Sequence, residues 1–227
     1  MTTKTSPRRG ADADAASKQP TSLLGELREL AGSAPARAGA ACWDYLRVAA
    51  EADDRDLLAA LFAQGTAPQL DGDYEGLIAS KLFGIPEAAL LNPVVAVEPG
   101  WVGKSFDATT ATGYNRLNRI AYLALRAAVP RYSGWVRTGA VYQGFRFSYR
   151  VERAALAPFV QVAAVTYTDP ALGNPSSKIV PIERVRDELV ELVPGVYLGR
   201  ALMSSRTGEI RVIGYFGLRA PLREVNR

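Results

Sequence analysis

The sequence predicts a mainly β protein of the α+β kind: an antiparallel barrel of about eight strands, preceded by two N-terminal helices and interrupted by one inserted helix. Three observations predict it. In GFRFSYRVER, Phe145, Phe147, Tyr149 and Val151 alternate with Arg146, Ser148, Arg150 and Glu152, which is the two-residue period of a strand buried on one face. Short strand-like runs separated by turn residues fill most of the chain after Pro68. Strands in sequence-neighbour order make a meander, and closing a meander into a barrel removes its exposed edges. A curved open sheet covered by helices is the alternative architecture.

Taken in order, residues 1–21 hold almost nothing that can be buried and are expected to be a disordered tail. Residues 22–66 form a helical segment. Thr21-Ser22 would cap LLGELRELAG, with Leu23, Leu27 and Leu30 on one face and Gly32 as its stop. WDYLRVAAEADDRDLLAALFAQG would be a second helix ending at Gly65, with Asp53 or Asp54 capping its second half. Residues 67–227 form the barrel. Strands are expected at 73–81, at 93–98 and from Trp101. GYNRLNRIAYLALRAAVP has Leu117, Ile120, Leu123-Ala124 and Ala127-Ala128 on one stripe and reads as the inserted helix, stopped by Pro130. IERVRDELVEL fits a helix or a strand. VYLGRALMSS and EIRVIGYFGLR read as a closing hairpin.

Composition excludes several chemistries. There is no histidine and a single cysteine, Cys42, so His-dependent triads, His-ligated metals, internal disulfides and Cys-rich zinc sites are all absent. No cofactor is expected. No apolar run is long enough to span a membrane and no secretory h-region follows the N-terminal arginines, so a cytoplasmic protein is expected. The net charge of +4 is unevenly spread: residues 22–99 carry 5 basic and 12 acidic residues, residues 100–153 carry 9 and 2. That asymmetry suits an anionic partner or self-association as a homodimer through opposite faces. A nucleic-acid role for residues 104–153 is not expected, because strand alternation places aromatics and arginines on opposite faces, whereas a stacking groove needs them together.

Two motifs carry a resemblance. DGDYEG at 71–76 is similar to the G-x-W-x-G opening of small calycin-like proteins, with Tyr74 in place of Trp. GWVGKSF at 100–106 resembles the G-W-x-G-K-x-F segment of the GXWXG-type bacterial proteins. Tyr167-Thr168-Asp169, RVRDE at 184–188, VYLG at 196–199 and YFGL at 215–218 follow in the order of that family, so the resemblance covers about residues 70–220. It implies a lipocalin-like barrel that holds a lipophilic small molecule. Tyr74 for Trp, and the long insertion at 113–134, are departures from the pattern.

Candidate ligand-binding residues are Tyr74, Trp101, Lys104, Phe106, Arg116, Tyr149, Tyr167, Arg186 and Tyr197. Lys104 shares a strand face with Val102 and Phe106, while Trp101 and Gly103 would point the other way. Facing inward, Lys104 would be a buried cation able to anchor an anion or act as an amine of lowered pKa. The tyrosines could line a polar-tipped pocket of several hundred cubic ångströms. Arg116 flanks the loop DATTATG at 107–113, and Arg186 belongs to a dense charged cluster with Arg184, Asp187 and Glu188. The expected function is therefore binding of a small, lipophilic or anionic molecule. The alternative is a metal-independent isomerase, cyclase or dehydratase using Tyr, Lys or carboxylate acid–base chemistry.

Overall fold

The apolar residues of the first sixty positions recur at helical spacing. In the computed structural model, which describes residues 20–84, 100–178, 180–205 and 207–220, they form three helices. These are α1 (Pro20–Ser33), α2 (Pro35–Glu51) and α3 (Arg55–Ala63). The second predicted helix is broken at Asp53, whose φ of 49° is left-handed, and Asp54 caps α3 by accepting from the Leu57 amide. Helix α1 starts at Pro20 and runs past Gly32, one turn longer than the expected capped segment. The rest of the expected tail and the expected strand at 93–98 lie outside the described residues.

The strands are β1 (Gly72–Ile78), β2 (Trp101–Asp107), β3 (Thr112–Leu117), β4 (Val136–Thr138), β5 (Val141–Ala154), β6 (Ala157–Thr166), β7 (Val185–Val193), β8 (Val196–Ser204) and β9 (Ile210–Arg219). Helix α4 (Arg119–Ala128) lies between β3 and β4. All pairings are antiparallel. β1 pairs with both β2 and β9, and β3 pairs with β5, so eight strands close into a ring and β4 lies outside it on β5. Residues 113–117 are thus strand, not the start of the inserted helix. Asn118 caps α4 by accepting from the Ala121 amide. Residues 185–193 also resolve as strand: hydrogen bonding to β6 and β8 overrides their helical spacing.

Strand alternation sends residues to two cores. Inside the barrel lie Tyr74, Phe106, Phe145, Phe147, Val165, Tyr167, Leu189, Tyr197, Phe216 and Leu218. Outside it, Val160, Val162, Ala164, Val190, Leu192 and Leu198 meet Leu24, Cys42, Trp43, Leu46, Leu58, Leu61 and Phe62 of α1–α3. The helices therefore cover the outer wall of β6–β9. A buried ion pair sits in that seam: Glu188 accepts from Arg200 at 2.7 and 2.9 Å, from Arg186 at 2.9 Å and from the Ala155 amide at 2.7 Å. The Arg200 guanidinium lies over the Phe62 ring of α3. Every carboxylate lone-pair direction is used, which is the condition for burying such a group.

Closure depends on close backbone approach at the start of β2. Gly103 has φ +132°, and a Cβ there would lie 2.0 Å from the Tyr74 carbonyl oxygen. A Cβ on Gly76 would lie 2.4 Å from the Trp101 ring. Gly139, in the β4–β5 turn, has φ +61° but open space around it. Gly103→Ala is accordingly expected to cost about 3 kcal/mol or more through strain plus overlap, and Gly139→Ala only about 1–2 kcal/mol through φ alone. Urea denaturation of the two variants checks this; equal losses would show that the β1–β2 approach is not tight.

Candidate functional site

Four polar side chains meet inside the barrel. Lys104 comes from β2, Asn115 from β3, Tyr167 from the residue after β6 and Asp187 from β7. Lys104 Nζ donates to Asn115 Oδ1, Tyr167 OH and Asp187 Oδ2, each at 2.8 Å. Its three protons are all used. Tyr167 OH donates to Asp187 Oδ2 at 2.8 Å and accepts from Asn115 Nδ2 at 3.1 Å. Trp101 Nε1 donates to Asn115 Oδ1 at 3.2 Å. Among the described residues, no hydrogen bond reaches Asp187 Oδ1. Lys104 is 2% exposed and Asp187 5%.

The surroundings are aromatic. The Lys104 ammonium lies between 5.0 and 5.9 Å from the ring centroids of Trp101, Phe147, Tyr167 and Phe216. Such rings attract a cation by their faces and supply a low-dielectric wall. Burial pulls the Lys104 ammonium pKa below the ordinary lysine value, and the Asp187 charge pulls back against it. Burial pushes the Tyr167 hydroxyl well up, with the Asp187 charge adding to it.

The end of the barrel at the starts of β1 and β8 and the end of β2 is packed. Tyr74 meets Phe106 and Tyr197 edge-to-face at 5.6 and 5.4 Å, and Phe106 meets Phe147 at 5.2 Å. Tyr149 meets Phe106 edge-to-face and donates to the Leu70 carbonyl. Rings in contact, not open volume, occupy this end, so the expected central pocket of several hundred cubic ångströms is not what fills it. A cleft of about 340 Å³ lies outside the barrel, lined by Arg28 and Gly32 of α1 and by Thr66, Glu191 and Pro194. At the opposite end of the barrel, Val185 shares the Asp187 face of β7, and Ala201 and Met203 share the inward face of β8. Met203 packs with Ile213, Leu82, Val185 and Ala201. On this β7–β9 side the interior is aliphatic, while Trp101 at the start of β2 faces it from across the ring.

Seven of the nine sequence-predicted residues face this interior: Tyr74, Trp101, Lys104, Phe106, Tyr149, Tyr167 and Tyr197. Trp101 and Lys104 were expected on opposite faces. A register shift between Trp101 and Gly103 puts both on Asn115. Arg116 and Arg186 are elsewhere. Arg116 donates to the Tyr74 carbonyl and pairs with Asp73, and Arg186 pairs with Glu152 and Glu188 on the outer wall. The Tyr74 hydroxyl accepts from the Asp71 amide. Two members of the quartet were missed. Asn115 was hidden by the helical assignment of 113–117. Asp187 stands in sequence as one member of the dense charged cluster at 184–188, though counting back by two from buried Leu189 reaches it.

No family model and no curated protein matches the chain. Among solved structures, the crystal structure of a protein from Thermomonospora curvata aligns over 73% of this chain and 86% of that one, at 17% identity and a TM-score of 0.41. A likeness of that size carries nothing about function. Among the described residues, no helix is long and apolar enough to cross a membrane.

Removing one partner of the buried pair strands the other. Lys104→Met is expected to cost about 3–5 kcal/mol, and Lys104→Met/Asp187→Leu to be more stable than Lys104→Met alone. Chemical denaturation of both decides it; an additive loss would mean the two groups are not coupled.

The tyrosines set the alkaline limit. Burial, first among the causes, raises the hydroxyl pKa of Tyr45, Tyr132, Tyr149, Tyr167, Tyr197 and Tyr215. A raised folded-state pKa gives stability that is complete below the unfolded value near 10 and is lost as pH climbs above it. Lys104 acts in the opposite sense: its lowered pKa makes stability rise with pH up to the unfolded lysine value near 10.5. Six groups outweigh one, so the urea midpoint is expected to fall between pH 10 and 11.5. Tyrosinate absorbance from these residues should appear together with unfolding. Their free ionisation in the folded protein at pH 10 would refute the assignment.

Proposed function

We propose that the barrel is a binding protein for a small, neutral, lipophilic molecule that carries one hydrogen-bond donor. What supports this reading is the buried polar quartet of Lys104, Asn115, Tyr167 and Asp187, with Ala201 directly opposite Asp187 and the aliphatic side chains of Val185 and Met203 beyond it. A donor on the ligand would complete the Asp187 carboxylate, and its apolar body would rest on the aliphatic end. An anionic ligand is disfavoured, because Asp187 already matches the charge of Lys104. The resemblance to the GXWXG-type proteins points the same way but is not supported by a family match.

Acid–base catalysis is the second reading, favoured by a lysine of lowered pKa beside a tyrosine and a carboxylate. It requires the Lys104 amine to reach a substrate, whereas its three protons are engaged inside the barrel. Acetic anhydride labelling at neutral pH with peptide mass mapping separates the two. Labelling of Lys104 as fast as surface lysines would favour the enzyme; protection for as long as the chain stays folded would sink it.

For the binding reading, the probe is N-phenyl-1-naphthylamine, which is neutral, apolar and carries one N–H. Its fluorescence is expected to rise on titration with the protein, and Ala201→Trp, which fills the aliphatic end, to weaken binding at least about tenfold. The anionic dye 8-anilinonaphthalene-1-sulfonate should bind more weakly. No enhancement with the neutral probe, or an unchanged affinity in Ala201→Trp, would end the proposal.

A further inference from the structure

Helix α4 is amphipathic but turned inside out. Its inner face is Tyr122 and Leu125: Tyr122 stacks on Tyr142 at 4.0 Å and meets Trp135 at 5.4 Å, and Leu125 packs on the barrel core. Its outer face is Ile120, Leu123, Ala124 and Ala127, spaced i, i+3, i+4, i+7. Ile120 is 58% exposed, Leu123 51%, and Val136 in the adjoining strand 47%. None of these needs to be apolar for the fold.

The charge around this stripe has one sign. Between Asp107 and Glu152 there are seven arginines and no acidic residue. Arg119 and Arg126 lie on one flank of the stripe, and Arg131 and Arg137 follow in the loop and β4; all four are exposed. Arg126 donates to Tyr122 OH and Arg137 to the Gly139 carbonyl. Among the described residues none of the four forms an ion pair, although Arg116 and Arg150 do.

We infer that this face docks on a lipid bilayer with anionic headgroups, with Ile120 and Leu123 entering the headgroup–acyl boundary and Arg119, Arg126, Arg131 and Arg137 on the phosphates and carboxylates. A short helix with an apolar outer face and cationic flanks is the arrangement such an interface selects. A second copy is disfavoured as occupant: a two-fold contact through this face would set four unpaired arginines against four more. The inference is independent of what the barrel holds.

The test is sedimentation of the full chain with large unilamellar vesicles of phosphatidylcholine alone, or of phosphatidylcholine and phosphatidylserine at 70:30. Binding is expected to the mixed vesicles in 0.1 M NaCl, and to fall steeply in 0.5 M NaCl, where the screening length is shorter. Arg119→Gln/Arg126→Gln should weaken it about fivefold for each arginine. Ile120→Ser/Leu123→Ser should weaken it at least about tenfold. All four side chains are exposed, so thermal melting of the variants should match wild type. Equal binding to both vesicle types, binding unchanged in either variant, or no binding at all overturns the inference. So does a concentration-dependent dimer that Ile120→Ser/Leu123→Ser dissociates in a chain that ignores vesicles, which would assign the face to self-association.

Discussion

The ion pair between Lys104 and Asp187 spans the barrel. Counting round the ring from β2 to β7, by way of β1 or by way of β3, there are four strand steps in either direction, so the two residues come from opposite walls. An eight-stranded barrel is narrow enough for side chains to meet across it. A charge pair at its centre is tolerable only if register and closure are right. Shifting either strand by one residue would turn its charge outward and leave the other buried alone, at a cost of several kcal/mol. The pair therefore selects one register for strands that lie far apart in the chain, while adding little net stability of its own.

The rest of the interior is arranged around that pair. Asn115 and Tyr167 take the remaining protons of Lys104, and the Asn115 amide reaches the strained part of the sheet. Phe145 has φ +50°, unusual for a bulky residue; its carbonyl accepts from Asn115 Nδ2 at 3.2 Å and its amide donates to Tyr132 OH at 2.8 Å. The register shift between Gly113 and Asn115 in the β3–β5 pairing lies at this level. The seam that closes the barrel is thus braced from inside by the quartet and from the loop after α4 by Tyr132.

The barrel was legible because its signal is local. Alternation in residues 145–152 and turn residues between short runs follow from the pleat itself. The same rule put Lys104 and Phe106 on one strand face but left open which face turned inward. What escaped it were features decided by distant partners. The face of Trp101 depends on a shifted register against β3, visible in sequence only as Gly103. The helical stripe that begins at Leu117 draws residues 113–117 into the predicted helix, whereas pairing with both β2 and β5 makes them strand. The charges at 184–188 look alike in sequence, yet alternation sends Asp187 to Lys104 and Glu188 to Arg200, on opposite sides of the wall.

Helix α4 shows why periodicity alone does not decide which face is buried. Its sequence carries two apolar surfaces, Ile120–Leu123–Ala124–Ala127 and Tyr122–Leu125, and the aliphatic stripe is the longer. The structure buries the other. A tyrosine removes more surface from water than an isoleucine, and ring pairs add about 0.5–1.5 kcal/mol beyond area. Trp135 and Tyr142 are placed to stack on Tyr122. Because Tyr122 finds its ring contacts within the protein, the aliphatic stripe is left facing solvent. In α1–α3, by contrast, the apolar residues are buried on the barrel wall. The two helical regions thus put one sequence pattern to different use: the first three helices complete a core, whereas α4 leaves an apolar face exposed beside arginines that form no ion pair among the described residues.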